Sequence, residues 1–81
     1  MLHIKVIAPD RMLYEGEARS VTVPAYHGQL QALPAHAPYV TLLTEGTLFL
    51  ENERGEKQQF DLSGTGLLRI DHDRVTVLID A

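Results

Sequence analysis

Cysteine and tryptophan are absent from this 81-residue sequence, and aromatic residues make up only 6% of it. Without cysteine the chain has no disulfide framework and no thiolate chemistry. No apolar run approaches the ~20 residues that a membrane-spanning helix requires, and the segment Met1–Val6 lacks the apolar core of a signal peptide. These absences argue against a disulfide-stapled domain, a cysteine nucleophile and a membrane-spanning helix.

Positive charge is also scarce. The formal net charge is −4, the charges are scattered, and the longest cluster, Glu51–Lys57, mixes both signs. Because nucleic-acid binding needs a basic patch or stripe, nucleic acid is a poor candidate partner. The length of 81 residues and the apolar content of 44% predict one globular domain over residues 1–81. A domain this small has a thin stability margin, to which a bound partner can add.

Short alternating runs separated by turn residues dominate what is present. Alternation of apolar and polar residues indicates half-buried strands, and no ten-residue window carries a good helical stripe. Pro24 is expected to end the third strand, since proline cannot donate to a ladder. Eight or nine strands at this spacing predict an all-β fold, a flattened β-sandwich or barrel of mostly antiparallel strands. The runs are Leu2–Ala8, Met12–Glu15, Ala18–Val23, Gln29–Leu33, Tyr39–Leu43, Thr47–Glu51, Gln58–Leu62, Leu67–Ile70 and Val75–Ile79.

The stretch Pro24–Gly46 stands apart from the rest of the chain. It holds three of the four prolines and two of the four histidines. With Pro34 and Pro38 four residues apart, it is too stiff to be a loose linker. We expect it to cross between strands on a fixed path and to contain a strand of its own.

Three features suggest chemistry, and each has a plainer interpretation. Ser63–Gly66 lacks the third glycine and the helix of a dinucleotide loop, which favours a bulge or sheet corner with positive φ. Asp71–Asp73 offers three consecutive ligands, but neighbours on a strand point to opposite faces, which favours a solvated turn. His27 and His36 with Glu45 could sketch a metal site, but no short ligand pair supports it. His36 is more simply a packing residue or a contact to a partner.

No nucleophile with its general base is apparent, since Gly-x-Ser-x-Gly is absent and Ser20 lies within a predicted strand. A pair of acid–base carboxylates stays open among 11 acidic residues, although a solvated face is the better interpretation. The residue pattern therefore predicts a small binding or structural module with no catalytic residue, metal or cofactor. One alternative is a free-standing ligand- or protein-binding module in which Pro24–Gly46 forms the lid of a pocket.

The stretch Pro24–Gly46 also resembles a known family. Its prolines, glycines and His36 follow the pattern Pro-Gly-x-x-Gly-x-Leu-Gly-Ile-Leu-Pro-Gly-His-Ala-Pro of the N-terminal β-sandwich domain of the F-type ATP synthase epsilon subunit. Outside the stretch, Tyr14–Glu17, Ser63–Gly64 and Asp73–Leu78 fit the same family, so the resemblance covers essentially the whole chain. The matching positions within the stretch are Pro24, Gly28, Leu30, Leu33, Pro34, His36, Ala37, Pro38, Thr41 and Gly46.

The resemblance implies a mechanical role. Similar domains belong to the central stalk, the rotor, where they dock the gamma subunit onto the c ring and couple ion translocation to ATP synthesis or hydrolysis. They have no active site and lie at the cytoplasmic face of the membrane as peripheral parts of the F1 sector. The positions implied to face the c ring are Tyr26, His27, Gly28 and Gln29. Those implied to face gamma are Ala8, His36 and Thr41.

Two departures from the family qualify these expectations. Ala25, Gln31 and Ala35 replace usual glycines, so local turns are expected to differ there. Many family members continue into a C-terminal helical hairpin that inhibits hydrolysis, and this activity is not expected of the 81 residues.

Some strands also carry an apolar surplus, seen at Ile7, Leu42–Leu43 and Leu78. This surplus either forms a docking patch or fills the interior of a second sheet.

Overall fold

The computed structural model describes residues 1–35 and 37–80 of the chain. These residues form nine strands and no helix, which confirms the all-β prediction. All nine predicted runs are strands, although several begin or end earlier or later than expected. Their bounds are β1 Leu2–Ala8, β2 Arg11–Ala18, β3 Ser20–Ala25, β4 Gly28–Ala32, β5 Tyr39–Leu43, β6 Gly46–Glu51, β7 Lys57–Leu62, β8 Gly66–Asp71 and β9 Arg74–Ile79.

The strands form one curled mixed sheet with the order β2-β1-β9-β8-β5-β3-β6-β7, and β4 pairs with the free side of β3. β1 and β9 pair in parallel, while the other pairings are antiparallel. The sheet bends where β5 meets β3, since only Ala25 and Leu43 pair there. This bend divides it into a five-stranded layer (β2, β1, β9, β8, β5) and a four-stranded layer (β4, β3, β6, β7).

Alternate side chains of both layers fill one core. In β1 and β9 the inward residues Ile4, Val6, Val75 and Val77 are at most 1% exposed. β6 contributes Leu48 and Leu50, as the alternation predicts, and both belong to the same buried cluster. Each fully buried aliphatic side chain contributes about 1.5–3 kcal/mol. The period-two pattern is thus what brings the two layers together.

Pro24 does not end β3, contrary to the sequence prediction. β3 continues to Ala25 because its partner on one edge changes just at this point: its pairing with β6 ends at Thr22, and its pairing with β5 begins at Ala25. The missing N–H of Pro24 therefore falls between two ladders, while its carbonyl accepts from the Thr44 N–H at 2.8 Å. A proline is tolerated at this place since no donor is required of it.

The sequence prediction of positive φ in the corner at Ser63–Gly66 is also wrong, since none of these residues has it. Positive φ among the glycines occurs at positions 28, 46 and 55 instead. Gly64 and Gly66 are needed for close approach. A Cβ on Gly66 would lie 2.7 Å from the Leu78 carbonyl oxygen, and one on Gly64 would lie 3.0 Å from the Asp80 carbonyl oxygen.

Candidate functional site

The strand directions place the turns at two ends of the sandwich. One end, here called the hairpin end, carries the turns at residues 9–10, 26–27, 44–45 and 63–65. The opposite end carries the turns at residues 52–56 and 71–73. Ala35 belongs to the opposite end, since its N–H donates to Asp73 Oδ1 at 3.0 Å. The stretch Pro24–Gly46 therefore does not form one docking end but contributes to both ends of the molecule.

The residues that suggested metal chemistry do not form a metal centre in the part of the chain that the structure describes. Within it, no group of three or more His, Asp or Glu side chains is arranged to hold an ion. Asp71 and Asp73 instead shape the opposite end, where Asp71 Oδ1 lies 2.9 Å from His72 Nδ1 and Asp73 anchors Ala35. The sketched site of His27, His36 and Glu45 depends on His36, which lies outside the described residues.

The predicted c-ring-facing residues form a tight hairpin tip. Tyr26 and His27 are the two turn residues, and Ala25 pairs with Gly28 to close the hairpin. Gly28 has φ +124°, a conformation that glycine adopts without strain. The Tyr26 N–H donates to the Leu42 carbonyl oxygen at 3.0 Å, which fixes the tip to β5. Tyr26 is 75% exposed, and His27, Gly28 and Gln29 are exposed with it.

Two of the predicted gamma-facing residues point into the core. Ala8 is 6% exposed and Thr41 is 9% exposed, so neither side chain is available to a partner. Their strand neighbours face outward instead: Ile7 is partly exposed, while Val40 and Leu42 are each 59% exposed. The third residue, His36, lies outside the described part of the chain. Any contact near Ala8 and Thr41 must therefore use the residues beside them.

Apolar side chains line up across the outer surface of the five-stranded layer. Cross-strand pairing joins them in sequence, one from each of five strands. With neighbouring strands ~4.8 Å apart, the line is about 19 Å long. Met12, Leu78 and Leu42 are 46%, 42% and 59% exposed, and the other two are partly exposed. We call this line the apolar row: Met12, Ile7, Leu78, Leu67 and Leu42.

The apolar row decides between the two explanations of the apolar surplus. Val6, Leu43 and Val77 are buried, whereas Ile7, Leu42 and Leu78 face outward. The surplus thus forms a surface patch and does not fill the interior. Sequence reasoning missed the membership of Met12 and Leu67. Leu67 was the more recognisable of the two, because it precedes Leu68 in a strand, and one of two adjacent apolar residues must face outward.

The next line of outward side chains on the same layer is mostly polar. It runs from Glu15 through Lys5, Thr76 and Arg69 to Val40. Lys5 Nζ lies 3.9 Å from Glu15 Oε2, and both side chains are about half exposed, so this pair adds little stability. The apolar row is therefore one residue wide over most of its length and widens at its β5 end, where Val40 joins Leu42.

The outer surface of the four-stranded layer differs in character. Its central line is Gln31, Thr22, Phe49 and Gln59, so only one of four outward side chains is apolar. A depression of about 280 Å³ on this side has mostly polar and charged lining, namely Ser20, Thr22, Gln29, Gln31, Phe49, Leu50, Glu51 and Lys57. The two outer surfaces of the sandwich thus have opposite polarity.

A shallow recess lies where the apolar row meets the hairpin tip. Its volume is about 420 Å³, and it is open to solvent on the face of the five-stranded layer. Its lining contains no Asp, Glu, Lys or Arg: Tyr26, His27, Val40, Thr41, Leu42 and Leu67. An open apolar recess on a sheet face suits contact with another chain better than enclosure of a small ligand.

The described part of the chain contains no helix with the length and apolar content needed to span a bilayer.

Comparison with known proteins identifies a family over the whole chain. The family described as "ATP synthase, Delta/Epsilon chain, beta-sandwich domain" matches residues 1–81. The ATP synthase epsilon chain of Alkalilimnicola ehrlichii is 34% identical over 79 residues, which cover 98% of this chain and 56% of that relative. The epsilon chain of an Exiguobacterium species is 37% identical over 79 residues, covering 98% and 57%. The chain thus spans little more than half the length of the curated relatives it matches.

Solved structures share the fold. A chain in the Euglena gracilis mitochondrial ATP synthase, in a structure of OSCP, F1 and the c ring, superposes with a TM-score of 0.92 at 20% identity, covering 99% of this chain and 51% of that one. A chain from the central stalk and c ring of the Tetrahymena thermophila mitochondrial enzyme gives 0.81 at 9% identity, covering 99% and 63%. At these identities the likeness concerns the β-sandwich itself.

Proposed function

Because the chain belongs to the ATP synthase delta/epsilon family, as its β-sandwich domain, we propose that it is a non-catalytic part of the central stalk. In this role it docks the gamma subunit onto the c ring and helps to couple ion translocation to ATP synthesis or hydrolysis. It is held at the cytoplasmic face of the membrane through these two partners. The relatives are named as ATP synthase epsilon chains, which supports membership of that complex. The surface of this chain supports the proposed mode of docking.

The observation that carries the proposal is the apolar row on one layer and the polar surface on the other. Monomeric proteins rarely keep large contiguous apolar surface in water, and such surface marks a contact site. The row crosses all five strands of its layer, from Met12 to Leu42, and holds three large side chains that are more than 40% exposed. We assign gamma to this surface, next to the buried Ala8 and Thr41.

The hairpin tip of Tyr26, His27, Gly28 and Gln29 is assigned to the c ring, except for the sides of Tyr26 and His27 that line the recess beside β5 and belong to the surface assigned to gamma. The tip lies at the hairpin end, it is exposed, and the hydrogen bond from the Tyr26 N–H to the Leu42 carbonyl oxygen holds it against β5. A stiff tip transmits torque without bending, as a rotor part requires. The assignment of His36 to the gamma contact remains a proposal from the family resemblance alone.

A free-standing ligand-binding module is the weaker candidate. It needs an enclosed pocket under the Pro24–Gly46 stretch. The recess that this stretch contributes to is open, and Tyr26 and Val40 in its lining are 75% and 59% exposed. An open recess continuous with an apolar row favours a protein partner.

The test is binding to purified gamma subunit from the same source, measured by calorimetry. We expect the 81-residue chain to bind and Leu78→Asp to weaken the affinity roughly 100-fold, because a carboxylate would be buried without a partner. Gln59→Asp is the matched control on the polar layer and is expected to change the affinity less than about threefold. Absence of binding by the unaltered chain, or equal losses in both variants, would refute the proposed docking.

A further inference from the structure

The most exposed apolar side chains of the described residues gather at one place. Among large apolar residues the three highest exposures are those of Tyr26 at 75% and of Val40 and Leu42 at 59% each. All three line the recess at the β5 end of the apolar row. The gain from removing apolar surface from water grows with the area removed, so this corner offers more of it than any other part of the row.

The walls of the recess are held in a fixed position before any partner arrives. The Tyr26 N–H donates to the Leu42 carbonyl oxygen at 3.0 Å, and the Thr44 N–H donates to the Pro24 carbonyl oxygen at 2.8 Å. These bonds join the hairpin that carries Tyr26 to the strand that carries Val40 and Leu42. A preformed recess loses little conformational freedom on binding, which raises affinity.

The chemistry of the lining limits what can enter. None of the six lining residues is an acid, a lysine or an arginine, and the only polar side chains are those of Tyr26, His27 and Thr41, so a charged group would exchange its hydration for few partners. Leu42 and Leu67 belong to the apolar row as well as to the recess. A chain that covers the row therefore passes directly over the recess.

We infer that the recess is the energetic centre of the gamma contact and receives one bulky, uncharged aliphatic or aromatic side chain of gamma. This inference rests on the proposed function and adds where the affinity is concentrated and which kind of residue gamma supplies. Such anchor side chains in pockets dominate many protein interfaces, while surrounding contacts mainly exclude water. The members of the row outside the recess, including Met12 and Leu78, have that surrounding role.

The experiment compares two double variants of the 81-residue chain in calorimetric titrations with purified gamma. Val40→Ala/Leu42→Ala truncates two side chains of the recess, and Met12→Ala/Leu78→Ala truncates two exposed side chains of the row outside the recess. We expect the first to weaken binding by about 100-fold and the second by less than about tenfold. All four side chains are at least 42% exposed, so thermal unfolding should stay close to that of the unaltered chain and serves as the control for folding.

The outcomes separate the two proposals. If the unaltered chain does not bind gamma, the proposed function fails. If it binds and Met12→Ala/Leu78→Ala loses as much affinity as the recess variant or more, only the inference about the recess fails. A second copy of this chain is the other possible occupant of the recess, and sedimentation of the free chain tests it. If the unaltered chain dimerises and the recess variant is monomeric, the recess holds a second copy of this chain, and the inference is overturned.

Discussion

Leu42 and Leu43 are adjacent on β5, and the structure gives them opposite roles. Leu43 is 1% exposed and pairs with Ala25 at the bend where the two layers join. Leu42 is 59% exposed and belongs to the apolar row. We therefore expect Leu43→Ala to lower the free energy of unfolding by about 2–5 kcal/mol, because it removes buried methyl groups and leaves a cavity. Leu42→Ala should change it by less than about 0.5 kcal/mol.

The size of the chain makes this difference easy to detect. For the 81 residues, typical values of 0.05–0.15 kcal/mol per residue give a total stability of about 4–12 kcal/mol. Leu43→Ala thus removes a large fraction of the total and should lower the Tm by at least about 8 °C. The assay is urea unfolding followed by far-ultraviolet circular dichroism, since the chain has no tryptophan for fluorescence.

Binding to gamma should reverse the order of the two variants. At a temperature where both are folded, Leu42→Ala weakens the affinity and Leu43→Ala leaves it within about threefold. Equal losses of stability in the two variants would refute the assignment of inward and outward faces on β5. Equal losses of affinity in folded protein would refute the separation of core from docking surface.

Two further predictions concern the backbone. Ala35 has φ +65°, which strains any residue with a Cβ, so Ala35→Gly should raise the free energy of unfolding by about 0.5–1 kcal/mol. The control Ala32→Gly, within β4 and without positive φ, should lower it, because glycine weakens a strand; a gain at both positions would contradict the strain argument. Gly66→Ala should cost more than about 2 kcal/mol, because its Cβ would lie 2.7 Å from the backbone oxygen of Leu78. Gly16→Ala meets only the movable end of a tyrosine side chain at 3.1 Å and should cost less than half as much in the same urea titration.

The strands were predictable from the sequence because each is a local pattern. Alternation in Leu2–Ala8 or Thr47–Glu51 reports one buried and one exposed face, and glycine-bearing polar segments report the turns between them. The family could be recognised for the same reason, since the motif in Pro24–Gly46 is continuous in the chain. Both kinds of signal require only residues that are close in sequence.

The apolar row was not predictable because it is assembled across strands. Met12, Ile7 and Leu78 become neighbours only through the order β2-β1-β9 and its registers. A shift of one residue in either register would turn a whole strand over. The family resemblance singled out Ala8 and Thr41, which lie on β1 and β5 of the five-stranded layer, but a motif does not state which face of a strand each residue occupies. The structure shows both side chains to be buried.

The predictions made from Pro24 and from the glycines of the Ser63–Gly66 corner were wrong for a related reason. Pro24 is a strand terminator only where a partner strand needs its N–H, and the change of partner at this position removes that need. Gly64 and Gly66 lie in a turn-like sequence, yet close approach of the Asp80 and Leu78 carbonyl groups explains them, and positive φ does not. In each case the residue type marks a backbone constraint, and its cause lies on a strand distant in sequence.

The placement of the apolar row on the outer face links docking to stability. Its side chains add little to the core of the free chain, so their exposure leaves a small domain with a thin margin. If gamma binds this face as proposed, it stabilises only the folded chain, and at a gamma concentration 100 times the Kd the added stability is about 2.7 kcal/mol. Set against a total of about 4–12 kcal/mol for 81 residues, this is a substantial gain. The apolar row therefore adds little to the stability of the isolated sandwich and, under the proposed docking, contributes to the stability of a sandwich held on gamma.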